Sequence, residues 1–148
     1  MAESLKYQIV DLQMHVDRRG WLVEMLKADE MESGQSIRQI YAATIEPGCF
    51  RGGHYHKKRI EWFFIVGDNV EIILEDIKTK ERKVIPASLK RPQRITIYPG
   101  AAHAVFNRGD EAVHLLSAQN NIYDPQNSDT YEYKINRTAG AQILKIEK

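Results

Sequence analysis

Gly48-Cys49-Phe50-Arg51-Gly52-Gly53-His54-Tyr55-His56-Lys57-Lys58-Arg59-Ile60-Glu61 and, further on, Pro99-Gly100-Ala101-Ala102-His103-Ala104-Val105-Phe106-Asn107 decide how this chain reads. The first stretch has the spacing Gly48-x5-His54-x-His56-x4-Glu61. The second has Pro99-Gly100-x2-His103-x3-Asn107. Side chains two apart on an extended strand share a face, so His54 and His56 can converge on one point. A turn over Lys57 to Arg59 can bring Glu61 back on the next strand. The Pro99-Gly100 turn can deliver His103 from a later one. Three imidazoles and a carboxylate at one point make a divalent-metal site or a proton-transfer site.

Outside these motifs the chain reads as short β-rich runs separated by Gly, Pro, Asn and Asp. The expected strands are Arg38–Ile45, Arg51–His56, Ile60–Val66, Val70–Asp76, Arg82–Ile85, Arg94–Tyr98, Ala102–Asn107, Ala112–Gln119 and Tyr131–Ile135. Val70, Ile72 and Leu74 alternate with Glu71, Ile73 and Glu75, which gives one apolar face. Gly67-Asp68-Asn69 and Arg108-Gly109-Asp110-Glu111 look like hairpin turns. Leu22–Met31 is the best helix candidate, and a strand also fits its first half. The expected fold is all-β, a jelly-roll barrel of two antiparallel sheets. One domain over 1–148 is expected: an N-terminal arm with edge strands (1–36), the barrel (37–135), and a last strand or tail (136–148).

With 148 residues and 43% hydrophobic content the chain can bury a core, and disorder is not expected. Its 21 basic and 20 acidic residues leave a formal charge of +1. That balance does not favour nucleic acid or a membrane surface as partner. No apolar stretch approaches the roughly 18–20 residues of a membrane span. The start Met1-Ala2-Glu3-Ser4-Leu5-Lys6 does not read as a signal peptide. The single cysteine, Cys49, excludes an intrachain disulfide, and a cytoplasmic location is expected.

Other residues weigh less. His114 and His15 read as ordinary structural or surface histidines, and Cys49 as a small buried hydrophobe. Trp62, Phe63 and Phe64 read as core. Lys57, Lys58 and Arg59 read as a solvated turn or, alternatively, as phosphate contacts. Arg51 should lie near the barrel mouth. Asp17-Arg18-Arg19-Gly20 reads first as a turn. Tyr123, after a late strand, could serve as a general acid.

The two motifs resemble the paired motifs of the cupin superfamily, although Gly67 falls one residue closer to Glu61 than usual. A narrower resemblance covers roughly residues 7 to 135. Asp17-Arg18-Arg19-Gly20-Trp21-Leu22-Val23-Glu24, Ile37-Arg38-Gln39-Ile40-Tyr41, Arg51-Gly52-Gly53-His54-Tyr55-His56 and Tyr123-Asp124-Pro125 resemble the dTDP-4-dehydrorhamnose 3,5-epimerase family. They are also similar to cupin sugar isomerases and capsular-polysaccharide cupin domains. The resemblance implies a dimeric jelly roll acting on nucleotide-linked 4-keto-6-deoxy sugars. It implies His54 as base and Tyr123 as acid, with Arg51, and second Arg19, holding the diphosphate. The epimerases have Gln where this chain has His56, and they need no metal. Here the ligand set His54, His56, Glu61 and His103 is complete, as in the metal-binding capsular cupins.

The reading is therefore an isomerase that abstracts a proton next to a ketone. His54 is the base, with His103 and Tyr123 stabilising the enolate, and Arg51, Arg19 and Lys57 binding substrate. The alternative is a metal-binding cupin of another class, either an oxygenase-type enzyme or a silent binding or sensor module. One divalent ion (zinc, nickel, iron or manganese) fits the ligand types, and no organic cofactor is expected.

Overall fold

The Gly52-Gly53 pair breaks the side-chain alternation of one strand and thereby sets the interior of the molecule. In the computed structural model, which describes residues 6–135, this strand is β5 (Phe50–Tyr55). It runs antiparallel to β10 (Ala101–Asn107), and the register slips between His103 and Ala104. His54 pairs with His103, Gly52 with Ala104 and Arg51 with Val105. Gly53 is the extra residue of a β-bulge. Both glycines have positive φ, +97° and +81°. The bulge puts Arg51 and His54 on one face although they are three apart.

Two five-stranded antiparallel sheets face each other. One has the order β1 (Tyr7–Asp11), β9 (Gln93–Ile97), β6 (Glu61–Val66), β11 (Val113–Gln119), β4 (Gln39–Ile45). The other runs β12 (Tyr131–Glu132), β5, β10, β7 (Val70–Asp76), β8 (Arg82–Ala87). The hairpin β2 (Met14–Asp17) and β3 (Gly20–Val23) forms a small sheet of its own. This is the expected all-β jelly roll, but the two sheets are not hydrogen-bonded into a closed barrel. No helix among the described residues is long and apolar enough to cross a membrane, which says nothing of strand-built spans.

The core between the sheets holds Ile45, Phe63, Ile65, Val70, Ile72 and Leu74 with their neighbours. The alternation read along Val70–Asp76 is the observed one, with Val70, Ile72 and Leu74 buried and Glu71 and Glu75 less so. Trp62, Phe63 and Phe64 are all core residues. Phe63 faces the opposite sheet, whereas Trp62 is covered on the other face by Met25, Leu26, Met31 and Ile37.

Several expectations change. Gly67-Asp68-Asn69 and Arg108–Glu111 are not hairpin turns. Each carries the chain from one sheet to the other, because β6 pairs with β9 and β11 while β7 pairs with β8 and β10. A jelly roll alternates sheets along the chain, and turn composition does not report which sheet comes next. Leu22–Met31 is no helix: β3 takes its start, and only Ala28–Glu30 forms a 3-10 turn. Its apolar residues are needed as an extended cover over Trp62. The N-terminal arm supplies an edge strand, β1, on β9. Strand β8 runs through Pro86, which an edge position tolerates. The expected last strand or tail, 136–148, lies outside the described residues.

A Cβ on Gly52 would sit 2.6 Å from the His103 carbonyl oxygen, which is backbone and cannot swing away. Gly52→Ala should therefore cost about 2 kcal/mol or more. Denaturant unfolding checks this; an unchanged midpoint would mean that the bulge is not required.

Candidate functional site

The site begins with the tautomers of two buried histidines. His56 Nδ1 lies 2.7 Å from the Asp129 carbonyl oxygen. His103 Nδ1 lies 3.1 Å from the Ala101 carbonyl oxygen. A carbonyl only accepts, so each Nδ1 carries the hydrogen and donates it. In a neutral ring the lone pair is then on Nε2. Both Nε2 atoms point at one oxygen: Glu61 Oε2 is 3.0 Å from His103 Nε2 and 3.3 Å from His56 Nε2. These three atoms are buried without a hydrogen-bond partner of their own. His54 completes the group, its ring centroid 4.8 Å from that of His103 and 5.0 Å from that of His56. One ligand atom from each of the four residues lies within 4.8 Å of every other.

The four residues come from three strands and one turn. The bulge aims His54, and His56 follows just past the end of β5. Glu61 opens β6 in the opposite sheet. His103 is in β10, reached through Pro99-Gly100, where the Gly100 N–H donates to the His56 carbonyl. Asn107 is structural: its amide ties Ile45 and Glu111 carbonyls and its oxygen accepts from the Gly109 N–H.

Burial by itself would raise the Glu61 carboxyl. Its contacts with His103 and His56 outweigh that and hold it well below the usual range. Burial first, then the neighbouring His103 and His56, push His54 down to about 4. His54 is therefore a neutral ring with an available lone pair at pH 7. Across the interior, burial and then the Glu61 carboxylate push the Tyr41 phenol up to about 12.

Sequence reasoning missed Asp129. Its carboxylate accepts the backbone N–H groups of Lys57, Lys58 and Arg59, and its own carbonyl orients His56. One loop residue thus shapes the turn between His56 and Glu61 and fixes a histidine tautomer. Nothing in the spacing of Asn127-Ser128-Asp129 signals this long-range role. Arg59 also departs from its expected place. It is buried, donates Nε to Asn121 Oδ1 at 2.8 Å, and brings Nη1 to 4.0 Å from Glu61 Oε1. Lys57 and Lys58 are exposed, with the Lys57 ammonium 4.3 Å above the Tyr131 ring.

The remaining residues are placed as follows. Arg51 is exposed at the margin between the sheets and donates Nε to the Thr44 carbonyl of β4. Arg19 is on the exposed β2–β3 hairpin, paired with Asp17, and one chain does not bring it to the histidines. Tyr123 is half exposed, its backbone N–H donating to Gln39 Oε1 at 2.6 Å. Among the described residues no hydrogen bond or ring contact joins its phenol to His54. His103 is in the cluster, its Nε2 turned to Glu61 Oε2. His15 and His114 are exposed, and Cys49 is half buried against the core.

The Asp129 carboxyl is held below its ordinary value; burial opposes this, and the three backbone N–H bonds prevail. A depressed carboxyl stabilises the fold above its unfolded pKa, and that contribution is lost as pH falls through the folded value. Asp129→Asn should cost about 1–2 kcal/mol near neutrality. The gap to the parent chain should close below pH ~3.9. Urea titrations from pH 7 to 3 test this, and a gap that stays constant into acid would contradict it.

A reductase of Pseudomonas aeruginosa, UDP-2-acetamido-2,6-beta-L-arabino-hexul-4-ose reductase, is 31% identical over 87% of this chain. The match covers 33% of that protein, so the chain spans about a third of its length. A probable low-salt glycan biosynthesis epimerase of Haloferax volcanii is 27% identical over 82% of each chain. Among solved structures, a 3'-monoepimerase from Streptomyces bikiniensis in complex with dTDP-quinovose superposes with a TM-score of 0.79. It is 16% identical, with 95% of this chain and 79% of that one covered, and it shares the fold. The polysaccharide biosynthesis C-terminal domain model matches residues 15–131, which hold β2 to the start of β12 and every residue of the histidine cluster. The chain belongs to the polysaccharide biosynthesis C-terminal domain family.

Proposed function

We propose that the chain acts on a nucleotide-linked 4-keto-6-deoxy sugar in surface-polysaccharide biosynthesis, as an epimerase or keto-isomerase that moves a proton next to the ketone. The observation that carries this reading is a half-buried imidazole, His54, held neutral at pH 7 by burial and its neighbours, converging with His56, Glu61 and His103 at one point. The relatives' names run the same way, with a keto-sugar reductase, a glycan epimerase and a sugar-nucleotide monoepimerase.

In the metal-free chain His54 takes the proton from the carbon beside the ketone. The C–H electrons pass to the oxygen as an enolate, and His54 returns a proton to the other face or the neighbouring carbon. Arg51 and Lys57 are the cations that meet the diphosphate. The donor set also fits one divalent ion held by His54, His56, Glu61 and His103, since one ligand atom of each lies within 4.8 Å of every other and three of these atoms have no hydrogen-bond partner. Such an ion would neutralise the charge that gathers on the ketone oxygen. His54 then commits its lone pair to the ion and cannot take a proton, so the two roles exclude each other.

A second reading keeps the metal site in a non-catalytic binding module or a cupin enzyme of another class. The exposed position of Tyr123 favours it.

The β2–β3 hairpin bears on assembly. It stands as a separate sheet with Val16 73%, Trp21 45% and Leu22 58% exposed. A homodimer that buries this hairpin also gives Arg19 a route to the partner's site. The same reading places the chain in the cytoplasm, on the strength of a composition with one cysteine.

Deuterium incorporation into nucleotide-linked 4-keto-6-deoxy sugars, with metal analysis before and after chelation, tests the function. Exchange that survives complete metal removal and vanishes in His54→Ala supports the metal-free base. Exchange lost on chelation and restored by zinc supports the metal route. No exchange in either form, with every keto sugar tried, leaves the binding module. Sedimentation at micromolar concentration should report a dimer, and Trp21→Glu should shift it to monomer; a parent chain that is only monomeric would count against the hairpin contact.

A further inference from the structure

Inward positions of a two-sheet fold are ordinarily apolar. Near the histidines this one is polar on the far wall as well. Strands β4, β11 and β6 lie side by side, and their register aligns two inward rows. One row is Gln39, Gln119 and Glu61; the other is Tyr41, Ser117 and Phe63. Each row ends at the cluster: Glu61 is a member, and Phe63 meets the His103 ring edge-on at 5.6 Å. Tyr41 faces inward because it shares parity with Ile45, a core residue of the same strand, whereas Ile40, Ala42 and Thr44 of the opposite parity are exposed.

Two groups of this wall have unmet hydrogen-bonding capacity. Ser117 and Gln119 are 0% and 1% exposed, and Ser117 Oγ and Gln119 Oε1 have no partner. The Gln119 orientation is not arbitrary. Gln39 Oε1 receives the backbone N–H of Tyr123, so it is the acceptor, and the Gln119 atom 3.0 Å from it must be the amide nitrogen. Gln119 Oε1 is therefore the atom left over. The Tyr41 phenol lies beside the Ser117 hydroxyl without the alignment of a full hydrogen bond. Tyr41 and Gln39 are both half buried, but the Gln39 oxygen is taken by the Tyr123 N–H and the Gln119 amide, which leaves Tyr41 as the partly exposed member of this wall for an entering molecule. Tyr123, the other tyrosine of the region, is held by its backbone on the Gln39 side chain and turns no contact toward the cluster.

We propose that Tyr41, and not Tyr123, is the phenol that touches the substrate: it donates its hydrogen bond to the sugar's carbonyl oxygen, with Ser117 and Gln119 as the polar wall behind it. This rests on the keto-sugar reading of the site. The phenol keeps its proton throughout. His54 removes the carbon-bound proton, negative charge grows on the oxygen, and the Tyr41 O–H shortens its hydrogen bond to that oxygen. When the carbon is reprotonated the charge returns and the bond relaxes, so no co-reactant is required.

The test uses dTDP-4-keto-6-deoxyglucose as the exchanging substrate and dTDP as a binding probe. Tyr41→Phe should slow solvent exchange roughly 100-fold and leave dTDP affinity within about twofold, since the phenol touches sugar and not nucleotide. Tyr123→Phe should stay within about threefold of the parent rate. Tyr41→Gln separates donor from packing: it keeps a donor without the ring, so it should retain more exchange than Tyr41→Phe. The proposal is overturned by exchange in Tyr41→Phe near the parent rate, by a parallel loss of dTDP binding, or by Tyr41→Gln slower than Tyr41→Phe. If Tyr41→Phe does not fold, the order of rates between Tyr41→Gln and Tyr123→Phe decides, and a faster Tyr41→Gln overturns it. A parent chain that exchanges while these variants behave wrongly removes only the role of Tyr41. A parent chain with no exchange on any keto sugar removes the reaction and this role together.

Discussion

Three polar atoms meet inside this protein: His56 Nε2, His103 Nε2 and Glu61 Oε2. His56 and His103 each give their Nδ1 hydrogen to a backbone carbonyl, and both Nε2 atoms face the Glu61 carboxylate. Acceptors at hydrogen-bond distance repel one another unless a cation or a proton lies between them. The fold holds them there regardless. Keeping three polar atoms this close in the interior takes rigid elements, and the carbonyls that fix the rings belong to the backbone and cannot turn away. Much of the surrounding architecture follows from keeping these three atoms together.

The glycine bulge is one consequence. Regular alternation would send Arg51 and His54 to opposite faces. The extra residue at Gly52-Gly53 puts both on one face, and Gly52 is required because its Cα passes under the His103 carbonyl. The sheet crossings are another. Glu61 and the histidines belong to opposite sheets, so the turn after His56 must carry the chain between sheets without exposing its backbone donors. The Asp129 carboxylate takes three of those donors at once. The outer face of β6 is closed by an extended apolar segment over Trp62, which leaves Phe63 free to press on His103 from within.

The chemistry that this arrangement suits is proton transfer next to a carbonyl or the binding of a divalent ion, and His54 belongs to both. Its lone pair can meet a proton or a metal, not both at one moment. The polar inner wall on β4 and β11 fits the same chemistry, because its unpartnered oxygens, the Ser117 hydroxyl and the accepting Gln119 Oε1, suit a hydroxylated guest.

The cluster His54, His56, Glu61 and His103 was legible from spacing alone, because a period of two and two turn signals suffice to bring those side chains to one point. The all-β class was legible for the same reason, and so were most strand positions, the alternation of Val70–Asp76 and the core role of Trp62, Phe63 and Phe64. Spacing could not tell a hairpin from a crossover at Gly67-Asp68-Asn69, since local turn chemistry is alike in both and only the pairing of distant strands differs. It could not give Asp129 its role, which depends on a loop some seventy positions away in sequence returning over the Lys57–Arg59 turn. It misplaced Arg59, whose charge is tolerated inside because Glu61 and Asn121 meet it there. Tyr41 gained its inward place only from the register of β4 on β11. The sequence by itself determined which groups could do chemistry, because residue type and period are local. The tertiary structure decided which atoms of those groups face one another, because tautomer, burial and register are set by partners far away along the chain.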